Sequence, residues 1–262
     1  MTQETLKTAG PAAGTAGARA PMDLEARGLS WKAADGLAVR TILQIEELQI
    51  PAASEVAVTG SSGAGKTSLM RVLSGMARPD TGRVVWAGEN ISALGESARD
   101  AWRGENCGFL FQDFGLLEGL SALENVLLPE TFRGRITTES KARATSLLDE
   151  LGVPAHTRAG RLSRGEMQRT ALARVLMGRP RVIFADEPTA SLDEANAKRV
   201  AEALRSAAKN LAATLIVVTH DEALAETFAL RGKMEHGVWS WLRAPQPMAA
   251  PKNETTSSGA AP

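Results

Sequence analysis

The sequence predicts an α/β protein with a largely parallel central sheet, a small antiparallel β layer ahead of it and an α-helical insertion. Three observations predict this. The apolar runs Val56-Ala57-Val58, Val182-Ile183-Phe184-Ala185 and Leu215-Ile216-Val217-Val218 have strand length and no polar alternation, as in strands buried on both faces. Amphipathic helical stretches separate these runs, so successive strands are joined by helical crossovers and pair in parallel. Residues 23–50 instead alternate around Asp35-Gly36, with Leu43, Ile45, Leu48 and Ile50 apolar, which reads as antiparallel strands.

After that layer, the strand at 55–59 runs into Gly60-Ser61-Ser62-Gly63-Ala64-Gly65-Lys66-Thr67-Ser68. Leu69, Val72 and Leu73 then continue a helical stripe that ends near Gly75. Pro79-Asp80-Thr81-Gly82 turns the chain into a strand over 83–87. Phe109-Leu110-Phe111-Gln112 reads as a short apolar strand, followed by two helices over 125–134 and 138–152; the second directs Ala144, Leu147, Leu148 and Leu151 inward. These helices form the insertion, about 113–165. A helix over 165–178, a strand over 181–185, a helix over 194–210 and a strand over 214–219 restore the βα alternation. Residues 229–242 alternate around Gly232 and Gly237, as a closing hairpin or meander would. Residues 1–21 and 244–262 are rich in Ala, Gly, Pro, Ser and Thr and are expected to be a disordered lead and tail around a domain at 22–243.

Thirty basic and thirty acidic residues cancel, so no bulk charge draws the chain to nucleic acid, and no nucleic-acid partner is expected. The longest apolar runs fall far short of the roughly 20 residues of a membrane helix. The N-terminal stretch carries Glu4 and Lys7 and lacks the apolar core of a secretory signal. The single cysteine, Cys107, has no partner for an intramolecular disulfide and reads as a core filler in a reducing compartment.

The glycine-rich run at 60–67 fits a nucleoside-triphosphate cradle at every fixed position. Glycines let successive backbone N–H groups turn toward phosphates, and the helix that follows adds the positive end of its dipole. Lys66 is placed to reach the β- and γ-phosphates, and the Thr67 hydroxyl to meet a magnesium ion. The strand at 181–185 delivers Asp186 and Glu187 to the edge where open α/β sheets gather ligands. Asp186 can hold magnesium through water, and Glu187 can polarise the water that attacks the γ-phosphorus.

With these motifs in order, the chain from about residue 22 to 242 resembles the nucleotide-binding subunits of ATP-binding cassette transporters. The resemblance implies a RecA-like parallel-sheet core, ATP and Mg²⁺ as ligands, and a homodimer in which each copy completes the other's ATP site. Gln112 matches the family glutamine that touches magnesium and senses nucleotide state. The segment Leu162-Ser163-Arg164-Gly165-Glu166-Met167-Gln168-Arg169 matches the signature, whose Ser163 and Gly165 are expected to bind the partner's γ-phosphate. His220 matches the switch histidine at the γ-phosphate, and Asp193 the aspartate that joins the subunits. Trp31 is the candidate for stacking on adenine, with Leu37 or Val39 as alternatives.

Residues 112–117 and 121–129 are similar to the branch serving lipoprotein release, macrolide efflux and cell-division signalling. This implies integral membrane permease subunits as partners through the helical insertion, and a peripheral location on the cytoplasmic face of the inner membrane. Two positions depart from the usual signature: Arg164 stands where glycine is commonest, and Glu166 replaces glutamine. Whether Arg164 points inward or away is open at this stage. A weakly hydrolysing regulator that acts through ATP-dependent dimerisation is the rival reading.

Overall fold

The computed structural model describes residues 19–35, 38–134, 136–190 and 194–245. β1 (Leu24–Asp35) and β2 (Ala38–Ile50) pair antiparallel, with Leu24 opposite Ile50 and Leu29 opposite Ile45. β3 (Glu55–Thr59) enters the core and hands the glycine loop to α1 (Lys66–Leu73). β4 (Thr81–Trp86) and β5 (Glu89–Asn90) then return to the first layer, which is ordered β2-β1-β4-β5.

The chain continues through α2 (Glu96–Asn106), β6 (Cys107–Leu110), α3 (Ala122–Phe132), α4 (Thr138–Glu150) and α5 (Arg164–Met177). β7 (Val182–Asp186), α6 (Glu194–Leu211), β8 (Thr214–Val218), α7 (Glu222–Glu226), β9 (Leu230–Glu235) and β10 (Val238–Arg243) complete it. The central sheet is ordered β10-β9-β3-β8-β7-β6 and is parallel except for β10, which closes a hairpin on β9.

The unbroken apolar strands follow from burial on both faces. Val182 and Phe184 of β7 face the β layer with Val56, Ile216 and Trp86, whereas Ile183 and Ala185 face Leu172 and Leu204 of the helices. Trp86 is fully buried; its indole N–H donates to the Leu73 carbonyl at 2.8 Å and its ring lies edge-on to Phe184 at 6.3 Å. That side chain fixes α1, and with it the phosphate loop, against sheet and β layer together. A third cluster, Val126, Ala144, Leu148, Leu162 and Met177, binds the insertion helices to α5.

The expected elements are present, with shifted ends. The strand expected at 109–112 is Cys107–Leu110, and Gln112 sits instead in the turn where the Phe114 amide donates to the Phe111 carbonyl at 3.0 Å. Helix α2 was not expected: of its residues only Trp102 and Asn106 are buried, so it carries no apolar stripe to read. The chain is pinned from Arg19, whose guanidinium donates to the Glu105 carbonyl at 2.7 Å, while the Ala20 carbonyl accepts from Arg181 at 2.6 Å. Burial pushes the Cys107 thiol well above its ordinary value, so it stays protonated.

Candidate active site

Register brings the chemistry to one edge. In the parallel sheet Val58 and Asp186 both lie opposite Val218, so Gly60, Glu187 and His220 leave their strands from neighbouring positions. The phosphate loop follows β3. Gly60 has φ 146, and a Cβ there would sit 2.3 Å from the Met234 carbonyl oxygen, so only glycine lets β9 back the loop so closely. Ser61, Ser62, Gly63 and Thr67 are exposed, Ala64 is buried, and Gly65 and Ser68 are half-buried. Gly65 caps α1 with no side-chain hydrogen bond, which leaves the first amides of the helix available to an anion. The buried Lys66 folds back on the loop: its Nζ donates to the Gly60 carbonyl at 2.7 Å and the Ser61 carbonyl at 3.0 Å.

Thr67 and Asp186 meet across the site, the Thr67 Oγ1 donating to Asp186 Oδ2 at 3.0 Å. A hydroxyl and a carboxylate this close form an all-oxygen donor pair of the hardness Mg²⁺ prefers, so the residues fit that ion. Burial raises the Asp186 carboxyl above its ordinary value; the Thr67 hydrogen bond opposes the rise and the neighbouring Glu187 charge adds to it. Glu187 adopts φ 48, and its own amide donates to the Val218 carbonyl at 2.8 Å. Its carboxylate is held on three sides: Oε1 lies 2.9 Å from His220 Nδ1, and Oε2 accepts from the His220 amide at 3.3 Å and the Thr219 hydroxyl at 3.4 Å. The Glu187 side chain is 14% exposed and the His220 ring 67%. With Nδ1 tied to Glu187, Nε2 is the nitrogen His220 offers to a ligand. A non-glycine residue held in the left-handed region at a ligand edge is the kind of strain that accompanies function.

Gln112 is exposed on its turn and lines, with Asp113, Arg164 and Asp186, an open cavity of 570 Å³. Gln112 and Asp186 therefore share one space. Ser163 and Gly165, at the N-terminus of α5, are not among the residues lining that cavity, although Arg164 between them is. Ser163 caps that helix through a reciprocal box: its Oγ accepts from the Glu166 amide at 3.3 Å, while Glu166 Oε2 accepts from the Ser163 hydroxyl at 2.7 Å and its amide at 2.8 Å. These bonds, from the Ser163 side chain first, lower the Glu166 carboxyl. Arg164 is exposed and lines that same cavity, with its guanidinium 5.8 Å over the ring of Phe114.

Trp31 is half-buried against the β-layer core, opposite Leu43, whose side chain is the near neighbour of Gly65. Asp193 lies outside the described residues. Two residues that sequence reasoning did not single out also build the site. Arg174 donates to the Phe114 carbonyl at 2.6 Å and the Gly115 carbonyl at 2.5 Å, holding the turn that carries Gln112. Gln168, buried on α5, donates through Nε2 to the Pro188 carbonyl just past Glu187. Nothing in the sequence marks Arg174 beyond its place near the end of an amphipathic helix; Gln168 sits inside the signature and could have been read from it.

Comparison with known proteins agrees with this geometry. The family model described as ABC transporter matches residues 43–190. The lipoprotein-releasing system ATP-binding protein LolD of Chromohalobacter salexigens is 40% identical over 204 residues, covering 77% of this chain and 86% of that protein. YbbA of Escherichia coli K12, named as an uncharacterized ABC transporter ATP-binding protein, is 42% identical over 188 residues, covering 71% of this chain and 82% of its own. Among solved structures, the dimeric ATP-binding cassette MJ0796 bound to ADP and Pi superposes with a TM-score of 0.76 at 28% identity, over 84% of this chain and 99% of that one. The chain belongs to the ABC transporter family, as an ATP-binding, ATP-hydrolysing subunit.

Proposed function

We propose that two copies of this chain enclose two Mg²⁺–ATP molecules, and that the closing and reopening of the pair drives separate membrane subunits. The enclosed Glu187 carboxylate, beside the phosphate loop and bonded to His220, carries this reading. Entering phosphates give Lys66 a better acceptor than the two carbonyls it holds, and the amides of the loop and of α1 take up the remaining oxygens. Glu187 takes a proton from a water molecule as the water oxygen bonds to the γ-phosphorus and the bond from that phosphorus to the bridging oxygen breaks, releasing ADP and phosphate. His220, through Nε2, and Gln112 report the γ-phosphate to the rest of the chain. A magnesium ion held by Thr67 and Asp186 would neutralise charge on the phosphates.

Ser163 and Gly165 lie outside the cavity that Gln112 and Asp186 line, which supports their being supplied to the phosphates of a second copy; Asp193 would lie in the same contact. Trp31 would pack beside the base. The insertion at about 113–165 within a 22–243 ATPase domain meets the membrane partner. The supporting surface is a 580 Å³ groove lined by Met76, Phe109, Phe111, Pro129, Phe132 and Arg133, with Phe132 85% exposed. No described helix is long and apolar enough to cross a membrane, so the chain would lie peripherally on the cytoplasmic face of the inner membrane, held by its partners. The relative named for lipoprotein release supports an export or mechanical role, in lipoprotein release or efflux.

The weakly hydrolysing alternative draws on Arg164, whose cation lines the cavity shared by Gln112 and Asp186. Phosphate release by the purified protein with its membrane partner separates the two. The ATPase reading requires turnover that falls about 10²–10⁴-fold in Glu187→Gln, the usual range for a general base; turnover already absent in the unaltered protein favours the regulator.

A further inference from the structure

The turn that carries Gln112 and the loop that carries Ser163 are joined within one chain, by side chains of a single helix. Phe114 follows Gln112 by two residues, has φ 62 and is 7% exposed. Its carbonyl and that of Gly115 are held by Arg174, from the last turn of α5. Its ring is covered from the opposite end of the same helix by Arg164, the first residue of α5 and the immediate neighbour of Ser163. A guanidinium within about 6 Å of a ring centroid is attracted by the negative face of the ring. Arg164 also lines the cavity shared by Gln112 and Asp186. A glycine at position 164 would have no side chain to make either contact.

We propose that Arg164 is a positioning residue that fastens the Ser163 loop to the Gln112 turn of its own chain by stacking on Phe114. The occupied phosphate site and the loop offered to the partner then shift as one unit. This inference rests on the dimeric ATPase reading above. Arg174 anchors the backbone of the turn, and Arg164 ties its ring to the residue that must reach the second copy. When Gln112 moves toward a γ-phosphate, Phe114 draws on Arg164 and sets the pose of Ser163; without the stack the two elements adjust independently, and closure orders both separately.

The test uses the full chain carrying Glu187→Gln, with ATP-driven dimerisation read by sedimentation, monomer ATP affinity by titration and folding by thermal melting. Arg164→Ala and Phe114→Leu, each added to that parent, should weaken dimerisation about 2- to 5-fold, the size of an exposed cation–π contact. Both together should be no weaker than either alone, and Arg164→Lys should retain most of the parent's strength. Monomer ATP affinity should stay within about twofold, a split that general loss of structure would not produce. Should Phe114→Leu melt early, Phe114→Met serves as the ring-free variant. Effects that multiply in the double variant, or an Arg164→Ala variant that dimerises as tightly as its parent, overturn the proposal. A parent that binds ATP yet stays monomeric removes the dimer reading itself, a result distinct from failure of the stack alone.

Discussion

Replacing Asp186 with asparagine should stabilise the nucleotide-free protein while disabling it. The carboxyl of Asp186 is raised by burial at the end of β7 and by the charge of Glu187 beside it, so its ionised form is disfavoured in the fold. The sign follows from linkage. A carboxyl raised on folding contributes stability that is complete below its unfolded value, near pH 4, and is lost as pH rises through the folded value. At neutral pH the unaltered protein therefore carries a repulsive charge that Asp186→Asn removes, while the amide oxygen can still accept from Thr67. The site is only half enclosed, so solvent screens the effect to about 0.5–1 kcal/mol. For a chain of this length that corresponds to a rise of about 1–4 °C in Tm. Differential scanning fluorimetry across pH reads it: the gain should be present at pH 7.5 and vanish near pH 4, where Asp186 is protonated. Magnesium-dependent hydrolysis should fall about 10²-fold or more in the same variant. A lower Tm for Asp186→Asn at neutral pH would refute the reasoning, because the charge would then be stabilising the empty site.

Other consequences follow from the same geometry. Lys66→Ala removes the ammonium that donates to the Gly60 and Ser61 carbonyls and should weaken ATP binding by about two orders of magnitude or more in direct titration, leaving the melting curve nearly unchanged. Glu166→Gln takes an anion from the helix end that, in the proposed dimer, would meet the partner's phosphate; charge at such a terminus is worth about 0.3–1 kcal/mol, so ATP-driven dimerisation should tighten about 2- to 5-fold and less so at high salt. Phe132→Ser alters a side chain that is 85% exposed and should cost no more than about 0.5 kcal/mol of stability, yet reduce copurification of the membrane partner while ATP hydrolysis by the isolated chain persists.

The parts of the fold legible in the sequence were those where one physical rule decides. β3, β7 and β8 are buried on both faces, so Val56-Ala57-Val58, Val182-Ile183-Phe184-Ala185 and Leu215-Ile216-Val217-Val218 admit no polar residue and read plainly. The phosphate loop was equally clear, because backbone approach to a ligand demands glycine at fixed spacing. Helix α2 was not: Trp102 is its single large buried side chain, so its helicity comes from context rather than a stripe. Gln112 was assigned to a strand end because Phe109 and Phe111 continue the apolar run, but the sheet stops at Leu110 and the chain turns at once. That Arg164 lies on Phe114 depends on tertiary packing between residues fifty apart, which neither local pattern encodes. The bond between Glu187 and His220 is of the same kind: each residue was readable on its own, while their 2.9 Å approach arises from the pairing of β7 with β8.

The central claim is that ATP joins two protomers into one catalytic body. Sedimentation velocity of Glu187→Gln with saturating ATP and Mg²⁺ tests it most directly. A species of twice the protomer mass that forms with ATP and disperses when nucleotide is removed is the predicted result; a protein that sediments as a monomer while titration shows ATP bound would contradict it.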